Sequence, residues 1–439
     1  MNALGLILSL LIPLLAGWPW VRRLPLGSLR DLQWLLAWGF GASALMLGQF
    51  LIGLAGVAVT QASGCFILGA FWLAGRHGLA KPTAAQLPQI SAKWHWLLIL
   101  PLILLVGQVA LSFWQVSQAP LWGMAGEGVW GLKARVIADT AALPWEIWRE
   151  DARPYLHREY PPGFPLQLAW CLSWSGGYEA DMIKWLGPVG MLAVLTALIQ
   201  AMSRGADWRA RFIALSVVAA LASLDVFQII ATQLYAEGMI LLLGLGGLLL
   251  LTAARRDGEF RLLAASFVLL GAAAFVKQEG VLLLLLAAMG GFIRPGLLSR
   301  RVVLLSAASA MALGILLWIL VKHHFGMEMR DFAPPAHLEK LPEIWNYIIS
   351  HSSLAHFGGL ALLLFFALVL DSRPWRLRFL ALSSILLIMM AFAACYFFST
   401  RPLEWHLTAL HRLTFVIITL HLSFLLIRVP VTTKNSKNA

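Results

Sequence analysis

Charge is what this sequence has least of. Asp, Glu, Lys and Arg together make up 12% of its 439 residues, while hydrophobic residues make up 60%. Soluble domains carry about 25% charged and roughly 45–50% apolar residues. No water-soluble fold hides that much apolar surface. Cysteine is scarce too. Cys65, Cys171 and Cys395 share no CxxC or ligand-like spacing, which excludes a disulfide framework and a cysteine zinc site. No GxGxxG follows a strand pattern and there is no P-loop, so nothing points to a nucleotide-binding fold. Internal repeats are absent, and the polar tail 429–439 is the one stretch of biased composition. Acids are outnumbered 21 to 33 by Lys and Arg, giving a net charge of +12. The excess sits in short loops between apolar runs, a mark of membrane topology rather than of nucleic-acid binding.

What is present is a succession of long apolar runs. The mean hydropathy is +0.79, and 20 Trp residues suit the boundary between lipid and water. Crossing about 30 Å of hydrocarbon takes about 20 apolar residues in a helix. Spans are predicted near 3–20, 33–55, 57–75, 95–116, 182–202, 211–231, 235–253, 302–321, 354–370, 379–398 and 409–427. Two shorter ones, 261–276 and 280–293, flank Lys277-Gln278-Glu279 and bring the total to about thirteen. The run 164–175 is only half the needed length and is bounded by Pro161, Pro162, Pro165 and Gly176-Gly177. It is expected to lie in the interface or to dip partway into the membrane. The fold class is therefore all-α, a polytopic transmembrane helical bundle forming one domain over 1–428.

Charge placement sets the expected topology. The first run lacks a basic n-region and an A-x-A cleavage signal and is followed by Arg22 and Arg23, so it reads as a retained span with its N-terminus outside. Seven cytoplasmic segments then each carry three basic residues. Together these are 21 of the 33, against five of the 21 acids. Counting 164–175 as a full span would invert everything downstream and place five of the basic segments outside. The expected setting is a bacterial plasma (inner) membrane with a cytoplasmic C-terminus and a large outer loop over 117–181.

That outer face gathers the residues able to do chemistry. A helix is predicted from Val129, with Trp130, Ala134, Ile137 and Ala141 on one side and Arg135 and Asp139 on the other, lying flat on the membrane. Glu127 just precedes it, at the lipid boundary. It can serve as a general base on an acceptor hydroxyl, or simply as an acid favoured by the helix dipole. Tyr155 to Pro165, with His157, Arg158 and Tyr160 among three prolines, either fixes polar side chains over a cleft or only starts the next helix. Glu237 heads one span, and Lys277 and Glu279 interrupt another apolar run. Ionisable groups at membrane depth are costly and are functional candidates, although Lys277 and Glu279 can also pair with each other or snorkel to the surface. Arg412 opens the last span as a bidentate clamp for a lipid-borne phosphate. Asp225 lies within an apolar span as a candidate buried partner for these cations. The late outer-side histidines, including His323, His324 and His351, lack i, i+4 metal spacing.

Together these features resemble the glycosyltransferase-C superfamily, which includes protein O-mannosyltransferases and lipid A aminoarabinose transferases. The resemblance rests on Glu127-x-x-Trp130-x-x-Lys133-Ala134, on His157-x-x-Tyr160-Pro161-Pro162-x-x-Pro165, on Tyr235-Ala236-Glu237, on Lys277-Gln278-Glu279-Gly280 and on His411-Arg412. It covers about 94–428, leaving the first three spans as an N-terminal addition. It implies transfer of a sugar from a polyprenyl-phosphate carrier to a lipid, glycan or protein acceptor on the outer side, with inversion. Glu127 would be the catalytic base. Arg412 and Lys277, with Lys133 or Arg158, would stabilise the departing phosphate, and Glu237 would shape the site or position a metal. No cofactor is certain, and a divalent cation is the one candidate. The family usually has Asp where Glu127 stands, often beside a second acid, and often Asp where Glu237 stands. The alternatives are a transporter or flippase of lipid-linked sugars, or a non-catalytic membrane scaffold.

Overall fold

The computed structural model describes residues 3–77, 95–118, 129–145, 148, 160–176, 183–203, 208–293, 297–327, 338–353, 358–359, 361–363 and 403–426. Among them all regular structure is helical. In chain order the main helices are α1 (Ala3–Val21), α2 (Gln33–Leu54), α3 (Gln61–His77), α4 (Ile99–Gln118), α5 (Leu132–Thr140), α6 (Gly163–Ser175), α7 (Leu186–Met202) and α8 (Trp208–Ala222). They continue with α9 (Asp225–Thr232), α10 (Glu237–Asp257), α11 (Phe260–Val276), α12 (Gln278–Ile293), α13 (Arg300–His324), α14 (Leu341–Ser350) and α15 (Leu403–Leu426).

Six of these helical segments are long and apolar enough to cross a membrane, and α8 with α9, bent by 67° at their junction, makes a seventh if counted as one span. Helices suit that environment because each satisfies its own backbone hydrogen bonds. Some buried polar side chains are met by local clasps. Ser112 of α4 donates to Gln228 of α9 at 2.8 Å, and Gln228 donates to Gln108 at 3.0 Å. The spans expected at 354–370 and 379–398 lie largely or wholly outside the described residues.

Small residues let the first two helices touch backbone to backbone. A Cβ on Gly41 would fall 1.8 Å from the Pro13 carbonyl oxygen, so only glycine fits. α6 is buried on nearly every side, against α1, α2 and α5, and Trp170 donates to the Ser9 carbonyl oxygen at 2.8 Å. At 13 residues α6 is shorter than a span, as expected, and its apolar side chains are covered by neighbouring helices. α5 has the two faces expected: Ala134 and Ile137, with Trp130 just before the helix, are buried on the side toward α6, while Arg135 and Asp139 stay outside as an i, i+4 pair at 3.4 Å.

α11 and α12 form a tight hairpin. Lys277, in extended conformation, is the single residue between them, and Gly280 lies so close to Ala273 that a Cβ would meet its carbonyl oxygen at 2.1 Å. With 17 and 16 residues at about 1.5 Å per residue, each arm is about 25 Å long, less than the roughly 30 Å of a hydrocarbon core. Lys277 is thus held at the tip between two short arms.

Candidate functional site

Four side chains from three distant stretches of sequence meet at this tip. Lys277 Nζ donates to Glu237 Oε1 at 3.0 Å and pairs with Glu279 Oε1 at 2.9 Å, while Arg412 Nε approaches the same Glu237 oxygen at 3.2 Å. The result is a linear alternation, Arg412, Glu237, Lys277, Glu279, with no net charge of its own. Its burial is close to complete: Glu237 is 0% exposed and Lys277 3%. Ions taken this far from water persist only when paired. Glu237 Oε2 and Glu279 Oε2 accept no hydrogen bond among the described residues.

Local structure explains how the acids are aimed. Glu237 and Glu279 both sit in the first turn of a helix, where the exposed N–H groups and the dipole favour a carboxylate. The turn into α10 passes through Leu234, which is buried with φ of 54°. A bulky residue in the left-handed region is strained and persists only where its surroundings fix it. Here it sets Tyr235 and Glu237 facing α15.

Aromatic rings line the cations. The Arg412 guanidinium carbon stands 3.6 Å from the centre of the Tyr235 ring, and Lys277 Nζ stands 5.4 Å from that of Tyr160. Tyr160 stacks on Trp130 at 5.2 Å, and Lys133 Nζ lies 6.0 Å from Trp130 and 5.8 Å from Trp148. Lys133 is 3% exposed, an enclosed cation and not a surface one. Ring faces attract cations, more strongly when water is excluded. On α14, Tyr347 is half-buried; burial pushes its phenol above the ordinary value, against the opposing pull of Arg412.

An apolar cavity of about 270 Å³ runs between α1, α2, α6, α7, α9 and α10, lined by residues such as Leu14, Trp38, Phe164, Leu186 and Met239. Its wall includes Tyr235 and Gly238, on either side of Glu237. The four charged residues do not line this cavity; Tyr235, whose ring faces Arg412, is shared between it and the cluster.

Of the residues singled out from sequence, Tyr160, Glu237, Lys277, Glu279 and Arg412 come together, and Lys133 joins them through Trp130 and Tyr160. Glu127, His157 and Arg158 lie outside the described residues. Asp225 is not the buried partner it was expected to be: it is exposed, at the start of α9 where the span bends. The role of Tyr235 was not legible beforehand, since only the fold shows that its ring faces Arg412. Toward a divalent cation the cluster offers two carboxylates and, among the described residues, no third acidic, His or Cys ligand beside them. Glu237 Oε1 already faces two cations, and Lys277 separates the carboxylates. No group of three or more His, Cys, Asp or Glu gathers elsewhere among the described residues. The chain matches no known protein family, no curated protein and no solved structure.

Proposed function

We propose that the chain is a membrane glycosyltransferase that moves a sugar from a polyprenyl-phosphate carrier to an acceptor on the outer side of a bacterial plasma membrane. The observation that carries this reading is the pair of buried cations, Lys277 and Arg412, with Arg412 lying over Tyr235, a ring that also forms part of the wall of an apolar cavity. A lipid phosphate has both needs at once, an apolar place for its chain and cations for its head. Arg412 contacts Glu237 through Nε, so that contact does not consume the terminal guanidinium nitrogens, the fork that matches phosphate oxygens.

In the proposed step the acceptor oxygen bonds to the anomeric carbon from the face opposite the phosphate, and the configuration inverts. The acceptor proton passes to the Glu127 carboxylate. The bond between carbon and phosphate oxygen breaks, and its electron pair leaves on the phosphate. Arg412 and Lys277 meet that growing charge in a site from which water is largely excluded, where fixed charges act most strongly. Glu237 and Glu279 hold the two cations close together before the phosphate arrives, and Lys133 stands behind Trp130 and Tyr160 as a further buried lysine. His157 and Arg158 belong to the same outer loop and would contact the carrier or acceptor.

Glu127→Gln is expected to abolish transfer from a radiolabelled polyprenyl-phosphate sugar while leaving carrier binding intact. An unchanged transfer rate would remove Glu127 from the role of base. The reading also holds to about thirteen spans with the N-terminus outside. A cysteine placed at 257 should then react with an impermeant maleimide only from the cytoplasmic side. Reaction from the outside would put the acids in the wrong compartment. A flippase of lipid-linked sugars is the second reading, favoured by the 67° break between α8 and α9 and by the interruption at Lys277, because transporters build sites from broken helices. It predicts carrier movement across the membrane that survives Glu127→Gln.

A further inference from the structure

Gln167 of α6 lines the apolar cavity beside Tyr235 and is 4% exposed. Neither its carbonyl oxygen nor its amide nitrogen has a hydrogen-bond partner among the described residues. The polar group beside it is the Cys171 thiol, one turn on, which is only a weak donor and acceptor. An amide buried in this way lacks the compensation that burial of a polar group needs. A larger apolar groove, of about 910 Å³ between α2, α3, α11 and α13, makes no such demand. There Ser43 donates to the Gly39 carbonyl oxygen at 2.6 Å and Ser309 to that of Leu305 at 2.9 Å.

Water alone does not answer the demand of Gln167. A buried water needs about 15 Å³ of such space and two to four polar partners, and apolar cavities of about 150 Å³ stay dry and take a benzene-sized guest. This cavity offers about 270 Å³ with walls mostly of Leu, Trp, Phe and Met. It suits an apolar body that carries one small polar group. Gln167 specifies that group. Its carbonyl needs a donor and its amide nitrogen an acceptor, so a hydroxyl or a carboxamide, which does both, can pair with the whole side chain. An ester or an ether leaves the carbonyl unpaired, and a bare hydrocarbon chain leaves both atoms so. A charged head does not fit, because no Asp, Glu, Lys or Arg among the described residues lines the cavity, and an ion there would have no counter-charge.

The way in is lateral. Leu11 of α1 is exposed, and Leu10 of α1 with Val189 and Gly190 of α7 are partly exposed, so the cavity opens between two helices that are each long and apolar enough to span. Gly190 keeps the opening clear, since a Cβ there would meet nothing within 4 Å. We propose that this cavity binds a neutral membrane amphiphile, with an apolar body and one hydroxyl or carboxamide that pairs with Gln167. The proposal goes beyond the transferase reading and does not depend on it, because Gln167 and the cations Lys277 and Arg412 ask for different head groups. A carrier with its phosphate at Arg412 can run its chain along Tyr235, but that chain has no group for Gln167. The amphiphile lies in the cavity whose wall includes Tyr235, the residue whose ring faces the Arg412 guanidinium.

The test uses the full-length protein in phosphatidylcholine nanodiscs and an octanol that carries a diazirine in its chain. After photolysis, peptide mass spectrometry should place adducts on the cavity faces of α1, α6 and α7. At equal membrane concentration, unlabelled octanol and octanamide should each displace the probe about tenfold better than octyl methyl ether, which only accepts, tenfold being the scale of one hydrogen bond left unmade. Gln167→Leu should bring alcohol and ether to parity without lowering the melting temperature, since it removes an amide that has no partner. Gly190→Phe, whose side chain starts into open space, should abolish the cavity adducts. Equal displacement by alcohol and ether in the parent protein, as expected if only water pairs with Gln167, would overturn the proposal. So would an alcohol preference that survives Gln167→Leu, a lower melting temperature in that variant, or adducts spread evenly over the outward leucines of α1.

Discussion

Glu237→Gln should destabilise the protein by about 3–5 kcal/mol, the usual cost of stranding a buried charge, and should do so more than any other single change in the cluster except loss of Lys277. The reasoning follows from the linear order of the four charges. Glu237 and Lys277 are interior members, each facing two opposite charges, whereas Arg412 and Glu279 are ends. Removing an interior member isolates a terminal charge from its partner. Removing Glu279, whose side chain is 13% exposed, leaves Lys277 still paired with Glu237 and should cost about 1 kcal/mol or less. Thermal unfolding of the purified variants at one scan rate ranks them, with Glu237→Gln and Lys277→Met lowest and Glu279→Gln near the parent. Equal melting temperatures for Glu237→Gln and Glu279→Gln would show that the charges do not act as a chain.

Arg412→Lys tests chemistry rather than stability. Lysine keeps the positive charge beside Glu237, so folding should change little. It lacks the planar fork and cannot lie flat over the Tyr235 ring at 3.6 Å. If the guanidinium receives the departing phosphate, transfer should fall by about 10²–10³-fold, the scale seen when one transition-state donor is lost. The effect should appear in kcat more than in KM, because the charge on the leaving oxygen grows only as the bond breaks. A parent-like kcat in Arg412→Lys would reduce Arg412 to a counter-ion for Glu237.

Much of this was legible before any coordinates. Apolar runs gave helices close to their expected limits: α1, α2, α4, α7, α10 and α13 each fall within a few residues of the predicted spans, because length and hydropathy suffice where water is absent. Lys277 and Glu279 stood out for a related reason, since few forces keep a charge inside an apolar run unless something pairs with it. The sequence did not show which partner. Lys277 pairs with its neighbour Glu279 and also with Glu237, forty positions away, and only the packing of α10 against α11 brings the latter close. Asp225 misled because hydropathy averages over a bend: the break after Ala222 turns an apparently buried acid into an exposed helix start. The neighbours of α6 were not legible for a different reason, since a short apolar run looks the same whether lipid or protein surrounds it. The grooves could not be read at all, because voids belong to the spaces between helices and leave no periodicity in any one of them.

The charge chain also sets an order of assembly. Its two interior members are joined once α10 and the α11–α12 hairpin have packed, but Arg412 belongs to α15, the last described helix of the chain. While the nascent protein awaits that helix, Glu237 has one cation instead of two, and the ring of Tyr235 lacks the guanidinium that covers it. The seat for an anion is therefore complete only once α15 has packed against α10.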